Sequence, residues 1–578
     1  MNPIDSDDPA TKPRTAAPAN EKVRTHARNA LLEGRLPKWR SSFVVLLIFT
    51  AFAALAGRAV WVQVLNRNFY IAEGQKRYQR TLELTATRGR IVDRNGALLA
   101  VSLGTYEIWA TPSRFDIATV PPIARMIDMP EAELTRRLGT SRSFVLLKRQ
   151  VDAELAARVA QTGLAGVTLV ADTKRFYPEG ASAAHIVGFT DSEDQGQEGV
   201  ELAANDRLMG VHGRREVIRD RLGRVVSEIG EPEQAENGET IQLTIDKRIQ
   251  QLAHTQLAAA VLKHRARAGS VVVLDAKNGE ILALANYPTF DPNDRARLTG
   301  EQLRNRALTD TFEPGSTIKP LVAALAIDLG LVRPDTRIDT SPGTFKLGTH
   351  VIHDTSNHGV ITVSEAVQMS SNVALTKLSL RIRPETVWDK YREYGIGRAP
   401  DLTFPGAATG RLRAFERWKP IEQATMAYGY GLSLSLLQIA QVYTAYAGTG
   451  EFKPASLVRG EPVAGAVQVT KPATAAAVRD MLELAMGPRG TGRAATVVGY
   501  RVGGKTGTAR KLVGRSYAAN KYRASFVGMA PMSDPKVIVA VMIDEPSDGA
   551  YYGGTVAGPV FSGVVGATMQ LLGVPPDA

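Results

Sequence analysis

Residues 43–65, FVVLLIFTAFAALAGRAVWVQVL, contain only three strongly polar side chains, Thr50, Arg58 and Gln63. As a helix rising about 1.5 Å per residue, such a run is long enough to cross the hydrocarbon core of a bilayer. It predicts one membrane span with more than 500 residues beyond it. Before the run stand eight basic residues (Lys12, Arg14, Lys22, Arg24, Arg28, Arg35, Lys38, Arg40) against five acidic ones. That bias keeps an N-terminus in the cytoplasm and puts the bulk of the chain on the outer side. A cleaved signal peptide is the alternative, since Ala51-Phe52-Ala53 and Ala54-Leu55-Ala56 are small-residue patterns. The long preceding region, and the apolar run continuing to Leu65, favour a retained anchor. Arg58 reads either as a snorkelling side chain or as a contact with a membrane partner.

Residues 1–42 are rich in Pro, Ala, Thr and charge without periodicity and are expected to be a disordered cytoplasmic tail. After the 43–65 span, the alternating stretch 81–110 turns at Asn95-Gly96, a type I′ hairpin signal. Mixed helix and strand patterns continue to residue 236. From 237 a strand and a long amphipathic helix lead into a second hairpin around Asn278-Gly279, and an apolar strand VIVAVMIDE follows at 537–545. Two folded regions are expected: a mixed α+β region over 66–236, and an α/β (α+β) region over 237–578 with an antiparallel sheet flanked by helices. The chain has no cysteine, which excludes disulfides, thiolate metal sites and thiol chemistry. Its net charge of +12 is spread along the whole length, so it reads as solvated surface and no nucleic-acid partner is expected.

The chemistry is concentrated in three fragments. In EPGSTIKP (313–320), Pro314-Gly315 breaks the preceding structure and Pro320 is tolerable only in a first helical turn, so a helix begins near Ser316. Lys319 then lies one turn on, on the same face as the Ser316 hydroxyl. In a dry site with another cation nearby its ammonium is disfavoured, and the neutral amine can take a proton from serine. Taken alone, Ser-x-x-Lys is equally a helix cap beside an exposed lysine; Ser533-Asp-Pro-Lys536 matches it too, in a turn. Its company decides: Ser370-Ser371-Asn372, after a helix opened by the capping box Thr362–Glu365, and Lys505-Thr506-Gly507-Thr508 on a strand preceded by glycines. His350, His353 and His358 lack the pattern of a zinc site, and GPRGTG (487–492) lacks the lysine-serine ending of a phosphate loop, so neither metal nor other cofactor is expected. Tyr428, Tyr430 and Tyr443 suit either a cleft wall or the core.

Ser-x-x-Lys, Ser-x-Asn and Lys-Thr-Gly in that order form the motif set of penicillin-binding proteins and class A β-lactamases. The chain resembles the class B penicillin-binding proteins, in particular the septal, FtsI-type branch. The likeness is carried by RGRIVDRNGALLA (88–100), RFYPEG (175–180), GQEGVE (196–201), RNRALTDTFEPGSTIKP (304–320), HGVITVSEAVQMSSNVAL (358–375) and YYGGTVAGPVF (551–561). The serine within Ser-x-Asn and the membrane anchor weigh against a lactamase. The resemblance implies a peptidoglycan D,D-transpeptidase that cross-links stem peptides at the division septum and is a target of β-lactams. It implies Ser316 as nucleophile toward D-Ala-D-Ala, Lys319 as general base, Ser370 as proton relay and Asn372 as orienting group for the acyl chain. Lys505 supplies positive potential, and the strand Thr506, Gly507, Thr508 binds substrate. An amine acceptor then resolves the acyl-enzyme. The resemblance further implies a pedestal over 66–236, an inner-membrane location with a periplasmic catalytic region, and a SEDS-type glycan polymerase (FtsW-like) and other division proteins as partners. An elongation-type transpeptidase, a D,D-carboxypeptidase and a non-catalytic division scaffold remain as alternatives.

Overall fold

The computed structural model describes residues 38–140, 143–219, 225–461, 464–514 and 516–578; most of the tail expected over 1–42 lies outside them. Two compact units emerge. The first contains the helix Lys38–Val60, which passes through a π-helical turn, Trp61–Leu65, toward a further helix, Arg67–Tyr78. Lys38–Leu65 is long and apolar enough to cross a membrane, and its apolar window is unburied by protein, as a lipid-facing helix should be. Among the described residues the helix already includes Lys38 to Ser42, ahead of the apolar run; Lys38 and Arg40 tolerate helical backbone at an interface. Arg58 lies over the Trp61 ring at 5.4 Å. A three-stranded sheet accompanies it, with Gly213–Arg219 between Gln79–Leu84 and Val225–Glu233.

The second unit comprises Glu83–Arg214 and Pro232–Ala578. In its N-terminal part the long strand Leu98–Ala110 pairs with Val145–Val151 and Val167–Phe176, and short helices close a core of Ile108, Ile123, Leu134, Leu147 and Val159. Beside it Glu201 receives two guanidiniums, Arg88 Nε and Arg175 Nε, each at 2.7 Å, with all three side chains almost wholly buried. Arg88 also donates to the carbonyls of Asp194 and Glu201. Such a triad holds because both guanidiniums share the one buried carboxylate and Arg88 adds bonds to backbone carbonyls, although Arg175 Nη2 is left without a partner.

Both expected hairpins form, but neither turn is type I′. Only Gly96 and Gly279 have positive φ (84° and 80°), and their asparagine neighbours do not. The reason is an upstream aspartate: Asp93 Oδ1 accepts the N–H groups of Asn95 and Ala97, and Asp275 Oδ1 that of Lys277. These local bonds hold the asparagine in ordinary right-handed backbone.

The C-terminal part is built on five antiparallel strands: β1 (Ala268–Asp275), β2 (Ile281–Tyr287), β3 (Gly503–Val513), β4 (Ser516–Ala530) and β5 (Val537–Asp544), in the order β2-β1-β5-β4-β3. β1 and β5 are buried on both faces, which explains their apolar runs, Val271–Leu274 and Val537–Ile543. Val271, Val273, Val539 and Val541 pack on one side, with the helices α1 (Lys247–Lys263) and α5 (Gly558–Leu571); Val272, Leu274, Ile538 and Ala540 pack on the other. Each such side chain contributes about 1.5–3 kcal/mol when fully buried. That second side holds α2 (Lys319–Asp328), whose residues Lys319–Ala326 are all buried, together with α3 (Val363–Gln368) and α4 (Asn372–Ser379). A helix apolar all round belongs in the middle of a core. Its one lysine is therefore desolvated by its position. β3 is the sheet's last strand and leaves one edge unpaired within the sheet.

Candidate active site

Ser316 lies in a 3-10 turn, Gly315–Ile318, that runs straight into α2, with Pro320 in the first turn as expected. The turn is pinned from three sides. Thr317 Oγ1 donates to Pro314 O at 2.8 Å, Tyr443 OH donates to Thr317 O at 2.7 Å, and Gly315 N–H donates to Gly429 O at 3.1 Å. At Gly429 a β-carbon would stand 2.0 Å from Gly315 O, and at Gly507 it would stand 2.9 Å from Thr317 Cγ2 and 2.3 Å from Ser525 Oγ. Two glycines thus allow β3 and the Tyr428–Tyr430 loop to close on the turn. Ser316 remains half-buried, and its hydroxyl makes no hydrogen bond among the described residues.

Lys319 Nζ is turned toward the second motif. It donates to Ser370 O at 2.5 Å and to Ser370 Oγ at 3.0 Å; among the described residues none of its hydrogen bonds goes to Ser316. Ser370 can accept it because its backbone is left-handed (φ 61°), which reverses the chain between α3 and α4. The capping box of Thr362 and Glu365 starts α3 and Ser371 caps α4, accepting from Ala374 N. Asp354 braces the same corner: its Oδ2 accepts from Ser371 Oγ at 2.6 Å and its Oδ1 from Val373 N at 3.0 Å. Asn372 gives one amide N–H to His353 O at 2.8 Å and keeps its other amide positions for the cleft it lines.

Lys505 on β3 is fully buried as well, 3.3 Å from Thr506 Oγ1. Burial pulls its pKa down to about 7. Lys319 is held well below the ordinary lysine range, first by loss of hydration and then by the Lys505 charge, with Asp354 opposing. An amine whose charged form is disfavoured in this way is suited to accept a proton. Thr506 Oγ1 shares a hydrogen bond with Thr491 Oγ1 at 2.8 Å, and Thr508 Oγ1 accepts from Gly553 N at 3.0 Å. Arg510 N–H leaves the free edge of β3 toward Tyr430 OH (3.4 Å). With a two-residue period, the N–H groups of Thr508 and Thr506 emerge on that same edge.

Ser316, Ser370, Asn372, Thr506 and Thr508 line one cavity of about 660 Å³; buried Lys319 bonds to Ser370 and buried Lys505 to Thr506 of that lining, and Gly507 packs against Thr317 and Pro314 on either side of Gly315-Ser316. All eight residues singled out in the sequence converge there. The arrangement can deprotonate a hydroxyl without histidine, bind a carboxylate beside a lysine, and hold an extended peptide along a strand edge.

The penicillin binding protein transpeptidase domain model matches residues 269–566, and the penicillin-binding protein dimerisation domain model matches residues 83–243. The probable peptidoglycan D,D-transpeptidase PenA of Neisseria meningitidis is 44% identical over 93% of both chains. The peptidoglycan D,D-transpeptidase FtsI of Escherichia coli is 35% identical over 93% of both. The chain belongs to the class B penicillin-binding proteins. Among solved structures, this penicillin-binding protein resembles penicillin binding protein 3 of Mycobacterium tuberculosis complexed with aztreonam (30% identity, 86% of this chain and 98% of that one, TM-score 0.68). It also resembles the transpeptidase domain of penicillin-binding protein 3 of Burkholderia pseudomallei (48% identity, 58% and 98%, TM-score 0.54).

Several residues of this penicillin-binding protein's cleft escaped the sequence reading. Thr491, from the glycine-rich loop, and Tyr522, Tyr551, Tyr552 and Arg510 all line it. Tyr551 stacks between Tyr522 and Tyr552, with centroids 4.3 and 4.4 Å away. Tyr428 and Tyr430 belong to the cleft wall, whereas Tyr443 is core. Asp354 carried no signal, because what marks it is the fold bringing it to the start of α4. Among the described residues no group of three or more His, Cys, Asp or Glu side chains could hold a metal ion.

Proposed function

We propose that the chain is a peptidoglycan D,D-transpeptidase of the division septum, anchored by one membrane helix and acylated by β-lactams. The observation that carries this reading is a fully buried lysine, its charged form disfavoured by loss of hydration, one turn from a free serine hydroxyl that lines a cleft edged by an open strand. Ser316 Oγ attacks the carbonyl of the penultimate D-alanine as Lys319 removes its proton. Ser370, hydrogen-bonded to Lys319, passes a proton to the leaving nitrogen; the C–N bond breaks and D-alanine departs. The backbone N–H groups of Ser316 and Thr508 stabilise the oxyanion, Thr506 and Thr508 bind the terminal carboxylate in the field of Lys505, and Asn372 steadies the acyl chain. An amine from a neighbouring stem attacks the ester and restores the serine.

Residues 43–65 span the inner membrane with the N-terminus cytoplasmic, residues 66–236 serve as pedestal, and residues 237–578 form the periplasmic catalytic domain. A polytopic FtsW-like glycan polymerase and other division proteins meet the helix and pedestal. The test is labelled penicillin on the full chain in detergent. A stable adduct on wild type that vanishes in Ser316→Ala supports the reading; wild type without an adduct refutes it.

A further inference from the structure

The two glutamates of GQEGVE (196–201) have opposite fates. Glu201 is taken up by Arg88 and Arg175, whereas the Glu198 carboxylate has neither an ion-pair nor a hydrogen-bond partner among the described residues. Glu198 stands at the N-cap of the short helix Gly199–Ala203, yet its side chain caps nothing. Its backbone is held in place, since a β-carbon at Gly188 would collide with Glu198 O. Partial burial raises its pKa, and no donor or cation opposes that rise.

The side chain lines a cavity of about 390 Å³, large enough for a small ligand. The cavity lies where residues 184–202 meet residues 290–309 and 404–406, and none of its lining residues lines the catalytic cleft. Leu202, Phe290, Leu303 and Phe404 give it apolar sides. His185, only 7% exposed, gives it a second acceptor. Its Nε2 lies 2.7 Å from Gln302 O, and a carbonyl can only accept, so Nε2 carries the ring proton. Nδ1 is left with a lone pair and no partner among the described residues. Burial pulls the pKa of this ring down to about 4, so it stays neutral near pH 7. The one guanidinium among the lining residues, Arg304, is committed to Asp310 at 2.5 Å. Asn305 makes the wall rigid, donating to His185 O at 3.2 Å and accepting from Asn286 Nδ2 of β2 at 2.9 Å.

These contents decide what fits. With two acceptors lacking donors and no free cation, the cavity rejects anions. A neutral apolar guest would leave a desolvated carboxylate unanswered. A cation with an apolar body satisfies the carboxylate, and its body packs against aromatic walls.

We infer that this cavity is a binding site for an apolar-bodied monocation, an alkyl or aryl guanidinium or ammonium, whose N–H groups donate to the Glu198 carboxylate and His185 Nδ1. A free organic cation and a basic side chain of a partner polypeptide both carry that chemistry. The site stands independently of the transpeptidase reading.

The test titrates the full chain in detergent with phenylguanidine, its neutral isostere phenylurea, and benzoate, read by isothermal titration calorimetry. Phenylguanidine is expected to bind with a Kd of about 1 mM or tighter, which a ligand of that size can supply. Phenylurea should bind at least about tenfold more weakly, and benzoate should not bind. Glu198→Gln should weaken phenylguanidine by at least about tenfold, the loss of a charge-assisted contact, and leave phenylurea unchanged. Because Glu198 has no internal partner, Glu198→Gln should keep the wild-type urea unfolding midpoint, which also shows that the variant folds. A capped Ala-Arg-Ala peptide that competes with phenylguanidine supports the site with a partner's side chain as occupant. A peptide that fails to compete, while phenylguanidine binds through Glu198, supports it with a free cation. Equal binding of phenylguanidine and phenylurea, equal affinity in wild type and Glu198→Gln, or no saturation below about 10 mM overturns the site. So does a lowered midpoint in Glu198→Gln, since the carboxylate would then already have a partner. Labelled penicillin reports on the catalytic cleft separately.

Discussion

Removing the Ser370 hydroxyl separates two jobs that a static picture merges. Lys319 Nζ is held by two bonds, one to the Ser370 carbonyl at 2.5 Å and one to its hydroxyl at 3.0 Å. Ser370→Ala deletes only the second, so the backbone anchor keeps the amine in place. If the hydroxyl merely positions Lys319, its loss is that of one hydrogen bond, about 0.5–1.5 kcal/mol, or a rate effect of roughly two- to thirteenfold. If it relays the proton to the leaving nitrogen, the expected loss is about 10²–10⁴-fold. The relay reading predicts the larger figure. The backbone supplies a control: Ser370 has φ 61°, a conformation that costs an L-residue about 1–2 kcal/mol and glycine almost nothing. Ser370→Gly therefore removes the same hydroxyl while relieving the strain, and should be as slow as Ser370→Ala. Stopped-flow acylation by a fluorescent penicillin, read as a second-order rate constant, measures both. Losses under about tenfold in both variants would refute the relay, as would a glycine variant that regains what the alanine variant lost.

The electrostatics, the close packing and the buried triad each give a further test. Acylation should rise with pH as Lys319 loses its proton. In Lys505→Met the charge that disfavours ammonium at Lys319 is gone, so the Lys319 pKa climbs and the acid limb of the rate–pH profile moves to higher pH; a limb that stays or moves down contradicts the coupling. In Gly507→Ala the new carbon meets Thr317 Cγ2 at 2.9 Å and Ser525 Oγ at 2.3 Å, forcing β3 off the Ser316 turn. Acylation should fall by at least about tenfold and stability by about 1–3 kcal/mol, compared by urea unfolding; unchanged kinetics would mean the strand is free to shift. Glu201→Gln leaves Arg88 and Arg175 buried without their counter-charge and should cost about 3–5 kcal/mol in the same unfolding experiment. A cost below about 1 kcal/mol would mean that water reaches the guanidiniums.

What could be read from the sequence is what depends on local order. The helix entrance at Ser316, the capping box at Thr362 and the strand with the apolar run Val537–Ile543 are each set by neighbours within a few positions, and each appears where expected. The hairpin turns show the limit of that reasoning. Asn-Gly alone favours type I′, but an aspartate two or three residues upstream captures the backbone N–H groups first. The placement of Lys319 shows the limit again. Helical spacing aligns it with Ser316, yet its Nζ is held by a carbonyl 51 residues away, presented where Ser370 turns left-handed.

The same distinction explains why the aromatic wall and Asp354 were illegible while the lysines were not. A tyrosine at 522, 551 or 552 is compatible with any strand or loop, and its role comes from which strands β3 leaves uncovered. Lysine inside an apolar helix is different, because nothing in a core rewards an isolated ammonium and its desolvation cost must be met by some other gain. Two such lysines, Lys319 and Lys505, are fully buried in one small region, and the described residues give neither an ion-pair partner. Structure alone would be better served by methionine at both positions. The pairing makes sense only if one of them has to be neutral and the other has to attract an anion, and that division of labour between two identical side chains is what the chemistry of a serine nucleophile without histidine demands.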